Sequence, residues 1–327
     1  MRDKIDKIDR RIIYELDNNC RIPETHLAKI VGKSKEAVRY RIAKLVQSGV
    51  ILGFTTYLDL TKVGFEAFKL YLHTREKPKL MDSFLAYMKS RPDIFWVGAG
   101  DGAFNVGLTF YVKDKAQFFK DKGGIFSRFR ELVVSAAVGS VVETYAFGKK
   151  FLVEEGVKVT PSQVFGGLEH HKIDRTDMDI MRCLILDGRM SYVDIAAKVK
   201  ASPETVRNRI KDLEKKKIIS RYTLSLDNEK LGYEFYKTFI YFEGLVKEED
   251  RRLFEIARKH PNVLNFLRVF APWDVELEIM AENYHHYNKI INYFREKFPD
   301  SLVKVETTVL RLDEINPSND VPQLPGL

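Results

Sequence analysis

Arginine and lysine recur at matching places in two stretches of this 327-residue chain, Val38-Arg39-Tyr40-Arg41-Ile42-Ala43-Lys44-Leu45 and Val206-Arg207-Asn208-Arg209-Ile210-Lys211-Asp212-Leu213. In each, apolar residues fall at i, i+4 and i+7, one face of an α-helix, which leaves the cations on the opposite face. From Lys33 to Lys44 five basic residues stand against Glu36, and from Lys198 to Lys211 five stand against Glu204. Cations on one helix face can neutralise phosphates and release counterions, while Arg, Asn and Glu can pair with guanine, adenine and cytosine edges. A helix of this kind fits the major groove of double-stranded DNA, its N-terminal residues at base edges. Lys35, Arg39 and Tyr40 are the base-edge candidates of the first stretch, and Glu204, Arg207 and Asn208 those of the second. Lys33, Ser34, Lys44, Ser202 and Lys211 flank them as phosphate-contact candidates. Ser34 and Ser202 also stand in N-cap position, with Pro203 suited to a first helical turn. Arg41 and Arg209 precede a core Ile in both stretches, where an ion pair within the chain is at least as good an account as a phosphate contact.

Composition sets the bounds. A net charge of +8 with a pI near 9.1 favours polyanionic partners, and 45% hydrophobic with 12% aromatic residues supplies real cores. No apolar run reaches about 18 residues and no signal-peptide core follows Met1, which predicts a cytoplasmic protein with no membrane partner. Cys20 and Cys183 make no CxxC spacing, so no zinc site and no cofactor are expected. The adjacent pairs His170-His171 and His285-His286 point their side chains apart on a helix or strand and make poor chelates. The Gly-rich Gly98-Ala99-Gly100-Asp101-Gly102 lies between two strands and opens no helix, so it fails the context of a dinucleotide fingerprint. No catalytic residue is assigned. Aromatics at sheet spacing are expected in the core.

The rest of the chain is a repeat. A shift of 168 aligns Lys4–Leu72 with Lys172–Ile240 without a gap, about a third of positions being identical. Helices are predicted over Asp6 to Asn19 and Glu24 to Val31, then the basic helix, and again in the second copy: a helix-turn-helix. Val50 to Asp59 and Ile218 to Asp227 read as strands, hence a wing. Each copy then continues as strand, helix, strand, strand, helix, strand, the βαββαβ ferredoxin-like order. The fold class is therefore α+β, with two winged helix-turn-helix domains and two ferredoxin-like domains in tandem. The expected divisions are 1–60, 61–152, a linker over 153–171 rich in Gly and Pro, 172–228, 229–315 and a tail over 316–327.

Ile5-Asp6-Lys7-Ile8-Asp9-Arg10-Arg11-Ile12, its counterpart Ile173 to Ile180, and Val-x-x-Arg-Ile-x-x-Leu in both copies resemble the Lrp/AsnC transcription regulators, duplicated and fused. The resemblance implies a sensing and dimerising role for the βαββαβ units, with the two copies of one chain able to pair as a pseudo-dimer. It implies an amino-acid-like effector at the loop between the second and third strands, with Gly98, Gly100, Asp101 and Asn105 in copy one and Trp273 and Asp274 in copy two. Copy one has Asn105 where the family has Asp, and copy two lacks the Gly. It also implies homo-oligomers built from pseudo-dimers. Two unlike recognition helices would read a non-palindromic, bipartite site with halves about 34 Å apart. Two rival readings stand beside this one. Siroheme decarboxylases resemble the same family, but their segment with His and Tyr-Asn-Leu-Trp is here Arg268-Val269-Phe270-Ala271-Pro272-Trp273-Asp274-Val275, without His. The other rival is an architectural protein that binds DNA of any sequence.

Overall fold

The computed structural model describes residues 5–153, 162–167 and 169–315. The first three helices are α1 (Lys7–Asn18), α2 (Glu24–Val31) and α3 (Lys35–Gln47). Asp6 caps α1 in a reciprocal box with Asp9, which satisfies backbone donors at the helix start. Gly32 takes a left-handed conformation (φ 65°) that ends α2 and turns the chain into α3. Strand β1 (Ile51–Leu58) follows, and a single 3₁₀ turn leads into the first βαββαβ unit. That unit is β2 (Glu66–Thr74), α4 (Pro78–Lys89), β3 (Ile94–Gly102), β4 (Val106–Val112), α5 (Lys115–Arg128) and β5 (Val133–Ala146).

The stretch expected to be a bare linker contains a strand, β6 (Ser162–Gly166), paired with β5. Its Val164 and Phe165 are buried, and an apolar pair with a sheet edge to join does not stay in solvent. The second copy then runs α6 (Arg175–Leu186), α7 (Tyr192–Val199), α8 (Pro203–Lys215), β7 (Ile219–Leu226) and the one-turn α9 (Asn228–Leu231). It ends with β8 (Glu234–Phe242), α10 (Lys247–Lys259), β9 (Val263–Phe270), β10 (Val275–Ala281), α11 (Tyr284–Lys297) and β11 (Leu302–Ile315). The tail expected over 316–327 lies outside the described residues.

The strands predicted as wings make no hairpin within their own copy. Instead β1 pairs antiparallel with β7 from the other copy, forming a two-stranded ribbon. Each helix-turn-helix packs on the partner's strand. Ile12, Leu16, Val38 and Ile42 share a core with Leu224 and Leu231 of the second copy, while Ile180, Val206 and Ile210 share one with Leu58 and Leu60 of the first. The two helix-turn-helix units are thus cross-laced rather than strung along the chain.

The large sheet closes on itself through β5 and β11, each 14 residues long. Residues of β5 before Ser140 pair with β2 of the same copy, and those after it pair with β9 of the other. Likewise β11 pairs with β8 up to Leu310 and with β3 from Thr308 onward. Eight strands therefore make a ring with no free edge, to which β6 is appended. Helices α4, α5, α10 and α11 cover its outside, with Phe84, Phe118, Leu253 and Phe294 fully or nearly fully buried against the strands. Its inside holds an aromatic cluster including Tyr71, Trp96, Phe104, Phe239 and Trp273, the core place expected for strand aromatics.

Candidate nucleic-acid interface

Helices α3 and α8 present the residues singled out for DNA. Val38, Ile42 and Leu45 are buried on one face of α3, as are Val206, Ile210 and Leu213 on α8. On the opposite side Lys33, Ser34, Lys35, Arg39, Tyr40 and Lys44 are exposed, as are Ser202, Glu204, Arg207, Asn208 and Lys211. Tyr40 keeps 69% of its surface in water. The N-caps form as the sequence predicts. Ser34 Oγ accepts from the Ala37 N–H at 3.1 Å and Ser202 Oγ from the Thr205 N–H at 3.0 Å.

Arg41 and Arg209 are spent within the chain. Arg41 Nη1 donates to Asp6 and Asp9 at 2.8 and 2.7 Å, and Arg209 Nη1 to Asp174 and Asp177 at 2.7 and 2.9 Å. Burial works against the charge on Asp6, but the Asp9 N–H and the Arg41 guanidinium hold its carboxyl below the usual range. In both copies this pair ties the start of the first helix to the recognition helix. The capping carboxylates and the arginine form one device for fixing the angle of that helix.

The copies part company at Arg39. Its guanidinium donates twice to Glu24, at 2.8 and 3.1 Å, and the hydrogen bonds from Arg39 hold the Glu24 carboxyl below its usual range. Arg189 of the second copy approaches the same carboxylate at 3.8 Å. A shift of 168 places Tyr192 where Glu24 stands, so α7 has no carboxylate at that position.

Arg21 and Arg189, identical in the repeat, join the two helix-turn-helix units, a role that periodicity along one chain segment cannot reveal. Arg21 Nη1 donates to the carbonyls of Gly188 and Met190, both at 2.9 Å, and its guanidinium lies over the rings of Tyr192 and Tyr222. Arg189 lies over Phe54, 5.0 Å from its ring centre. Asp17, buried on α1, binds Arg221 of β7 at 2.7 Å and Lys149 at 2.6 Å. The sequence signal for the first pair was their identity at a turn where neighbouring positions differ.

The expected effector-loop residues are largely occupied by the fold. Gly98 and Gly100 are not in a loop, because β3 continues through them to Gly102. A Cβ on Gly98 would meet the Trp96 ring at 2.3 Å, and one on Gly100 the Val309 carbonyl of β11 at 1.9 Å. Gly100 lets the two copies' strands close, while Gly98 leaves room for the Trp96 ring of its own strand. Asp101 pairs with Arg311, Asn105 accepts from the Thr74 N–H at 2.9 Å, and Asp274 accepts from the Phe242 N–H at 2.7 Å. Trp273 is buried and donates to Glu276 at 3.1 Å. Among the described residues no group of His, Cys, Asp and Glu could hold a metal, and no helix is long and apolar enough to cross a membrane.

The model for the AsnC-type helix-turn-helix domain matches residues 5–46 and again 173–214. Over 149 residues the chain is 32% identical to the proline dehydrogenase transcriptional activator of Rhodobacter capsulatus, an alignment that spans 44% of this chain and 96% of that protein. The chain belongs to the Lrp/AsnC family of DNA-binding transcription regulators. It is also 34% identical over 103 residues to the HTH-type transcriptional regulator AldR of Mycolicibacterium smegmatis, covering 30% of this chain and 60% of that one. These two alignments span 44% and 30% of this chain, which carries the helix-turn-helix twice. The crystal structure of the siroheme decarboxylase NirDL spans the whole repeat, with a TM-score of 0.59, 12% identity, and 94% of this chain and 92% of that chain covered. At that identity the likeness is one of fold.

Proposed function

We propose that this Lrp/AsnC chain reads a bipartite, non-palindromic DNA site through α3 and α8, acting as a dimer of the family folded from one polypeptide. The observation that carries the reading is the clamp between the two helix-turn-helix units, in which Arg21 reaches the Gly188 and Met190 carbonyls at 2.9 Å. Two basic helices linked so directly act as one two-headed reader, not two independent anchors. Lys35, Arg39 and Tyr40 face one half-site; Glu204, Arg207 and Asn208 face the other. We further take 1–60 and 172–228 as the DNA-binding units and 61–152 and 229–315 as the ring-forming units, able to assemble into higher homo-oligomers.

Selection from a random-sequence duplex library at near-physiological salt tests this. A motif with unlike halves about one helical turn apart is the expected result. A palindromic motif would overturn the asymmetric reading. Binding without enrichment that vanishes as salt rises would transfer the protein to the architectural class.

The enzyme reading has less support, and we propose a regulator without catalytic activity. The segment that would face a porphyrin uses its polar groups within the fold: Arg268 grips Asp250 at 2.8 Å and also pairs with Glu143, and Trp273 is bonded to Glu276. Titration with an iron porphyrin checks this, and tight, saturable binding would reopen the question.

A further inference from the structure

Inside the ring, under the β1–β7 ribbon, lies a cavity of about 160 Å³. Both copies supply its walls, with Tyr57 from β1, Phe95 and Trp96 from β3, Asn265 from β9, Glu278 from β10 and Asp313 from β11. Charges around it are mostly matched. Lys69 binds Glu276 at 3.0 Å, Lys237 lies between Glu276 and Glu278 at 2.8 and 2.6 Å, and Lys149 is held by Asp17 at 2.6 Å.

Asp313 differs. Its Oδ1 accepts from the Trp96 indole N–H at 2.7 Å, a neutral donor, and among the described residues it makes no ion pair. Lys149 and Lys237 attract it only from beyond hydrogen-bond reach, while Glu278 repels it. Asp313 is exposed, as a carboxylate facing open space is. Across the cavity wall Tyr57 and Phe95 form an edge-to-face pair with ring centres 6.4 Å apart. A lone carboxylate is completed by a cation, and an aromatic pair by an apolar body. A space of this size takes about six to ten non-hydrogen atoms, since a cavity of roughly 150 Å³ accommodates benzene.

We propose that this internal chamber binds a small primary amine, with its ammonium on Asp313 and its apolar body against Tyr57 and Phe95. The site lies within one chain, apart from the loop around Asp101 and Asn105. It also has a route to the DNA-binding units: α6 rests on β1 and α1 on β7, so a ligand under the ribbon touches the element that carries both. Occupancy therefore shifts DNA affinity. That consequence rests on the regulator reading, whereas the binding itself does not.

The test titrates the full chain with hexylamine, hexanol and hexanoate, chains matched in length that differ in head group, by calorimetry and by the two tryptophan indole N–H signals. Hexylamine should bind at least tenfold more tightly than the other two and move the Trp96 signal more than that of Trp273. Its affinity should fall as pH drops below about 6, where Asp313 takes up its proton. Asp313→Asn should weaken it at least tenfold, and Thr109→Phe, which fills the chamber, should abolish it. The protein's charge of +8 opposes adventitious amine binding. No hexylamine binding, equal affinity for hexanol, a preference for hexanoate, or movement of Trp273 alone would each overturn the proposal. Amine binding that leaves DNA affinity unchanged would refute only the coupling to the ribbon.

Discussion

Helices α3 and α8 share a core face, a serine N-cap and an arginine tied to two aspartates, yet differ in the residues turned outward. Arg39 is held by Glu24, while the second copy has Tyr192 at the place of Glu24. Positions that set the angle of the helix are the same in both copies, whereas of the outward positions Arg39 and Arg207 match but Lys35 and Tyr40 correspond to Pro203 and Asn208. The ring interior shows a second asymmetry. Glu276 and Glu278 of the second copy stand where the first has Gly107 and Thr109, so one copy supplies the carboxylates that neutralise lysines from both, Lys69 and Lys237. Fusion permits this, since a homodimer would place the same residues on both sides of its axis.

The comparison can be broken most severely at a shared position. Val206→Asp puts a charge into a core where Val206 is fully buried, which costs several kcal/mol and should unfold the second helix-turn-helix. Circular dichroism should register the lost helix; a fully helical, soluble variant would refute the core assignment.

Next comes Glu276→Gln, which strands the buried Lys69 ammonium and leaves Lys237 with Glu278 alone, and should destabilise the chain by about 3–5 kcal/mol, read as a lowered midpoint in urea. A midpoint within error of wild type would show that the cluster is not coupled. Burial alone would raise the Glu276 carboxyl, but Lys237 and Lys69 hold it down to about 2. Because the folded pKa lies below the unfolded value of about 4.5, its stabilisation is present above that pH and lost as pH falls toward 2.

Arg39→Ala combined with Arg207→Ala should lower the ratio of specific to random-sequence DNA binding at least fivefold while leaving the melting temperature nearly unchanged. An unaltered ratio would remove these helices as readers. The smallest effect is expected from Glu24→Gln, which releases Arg39 from its carboxylate and should raise affinity for the selected site about two- to fivefold at low salt. If affinity falls instead, Glu24 orients Arg39 for DNA rather than competing for it.

Much of this was legible in the residues. Apolar spacing and capping side chains marked α1 to α3 and α6 to α8 because a helix is decided over a few turns, within reach of its own hydrogen bonds. The ion pairs of Arg41 and Arg209 were foreshadowed by identical Asp and Arg at matching positions in both copies. Lys69 and Lys237 carried no such signal, because their carboxylate partners Glu276 and Glu278 lie on another strand. The wings were misjudged because a strand's alternation gives its faces but not its neighbour.

The sequence by itself determined the repeat, the helix types, the βαββαβ order and the basic faces, since each follows from periodicity or composition over tens of residues at most. Tertiary structure alone decided that β1 pairs with β7, that β5 and β11 close the ring, that Glu24 holds Arg39 and that Asp313 faces an open chamber. The physical reason is distance along the chain: Tyr71 meets Glu276 and Trp96 meets Asp313 across 205 and 217 residues. Such pairings are chosen by how whole sheets fit together, a property that no local stretch encodes.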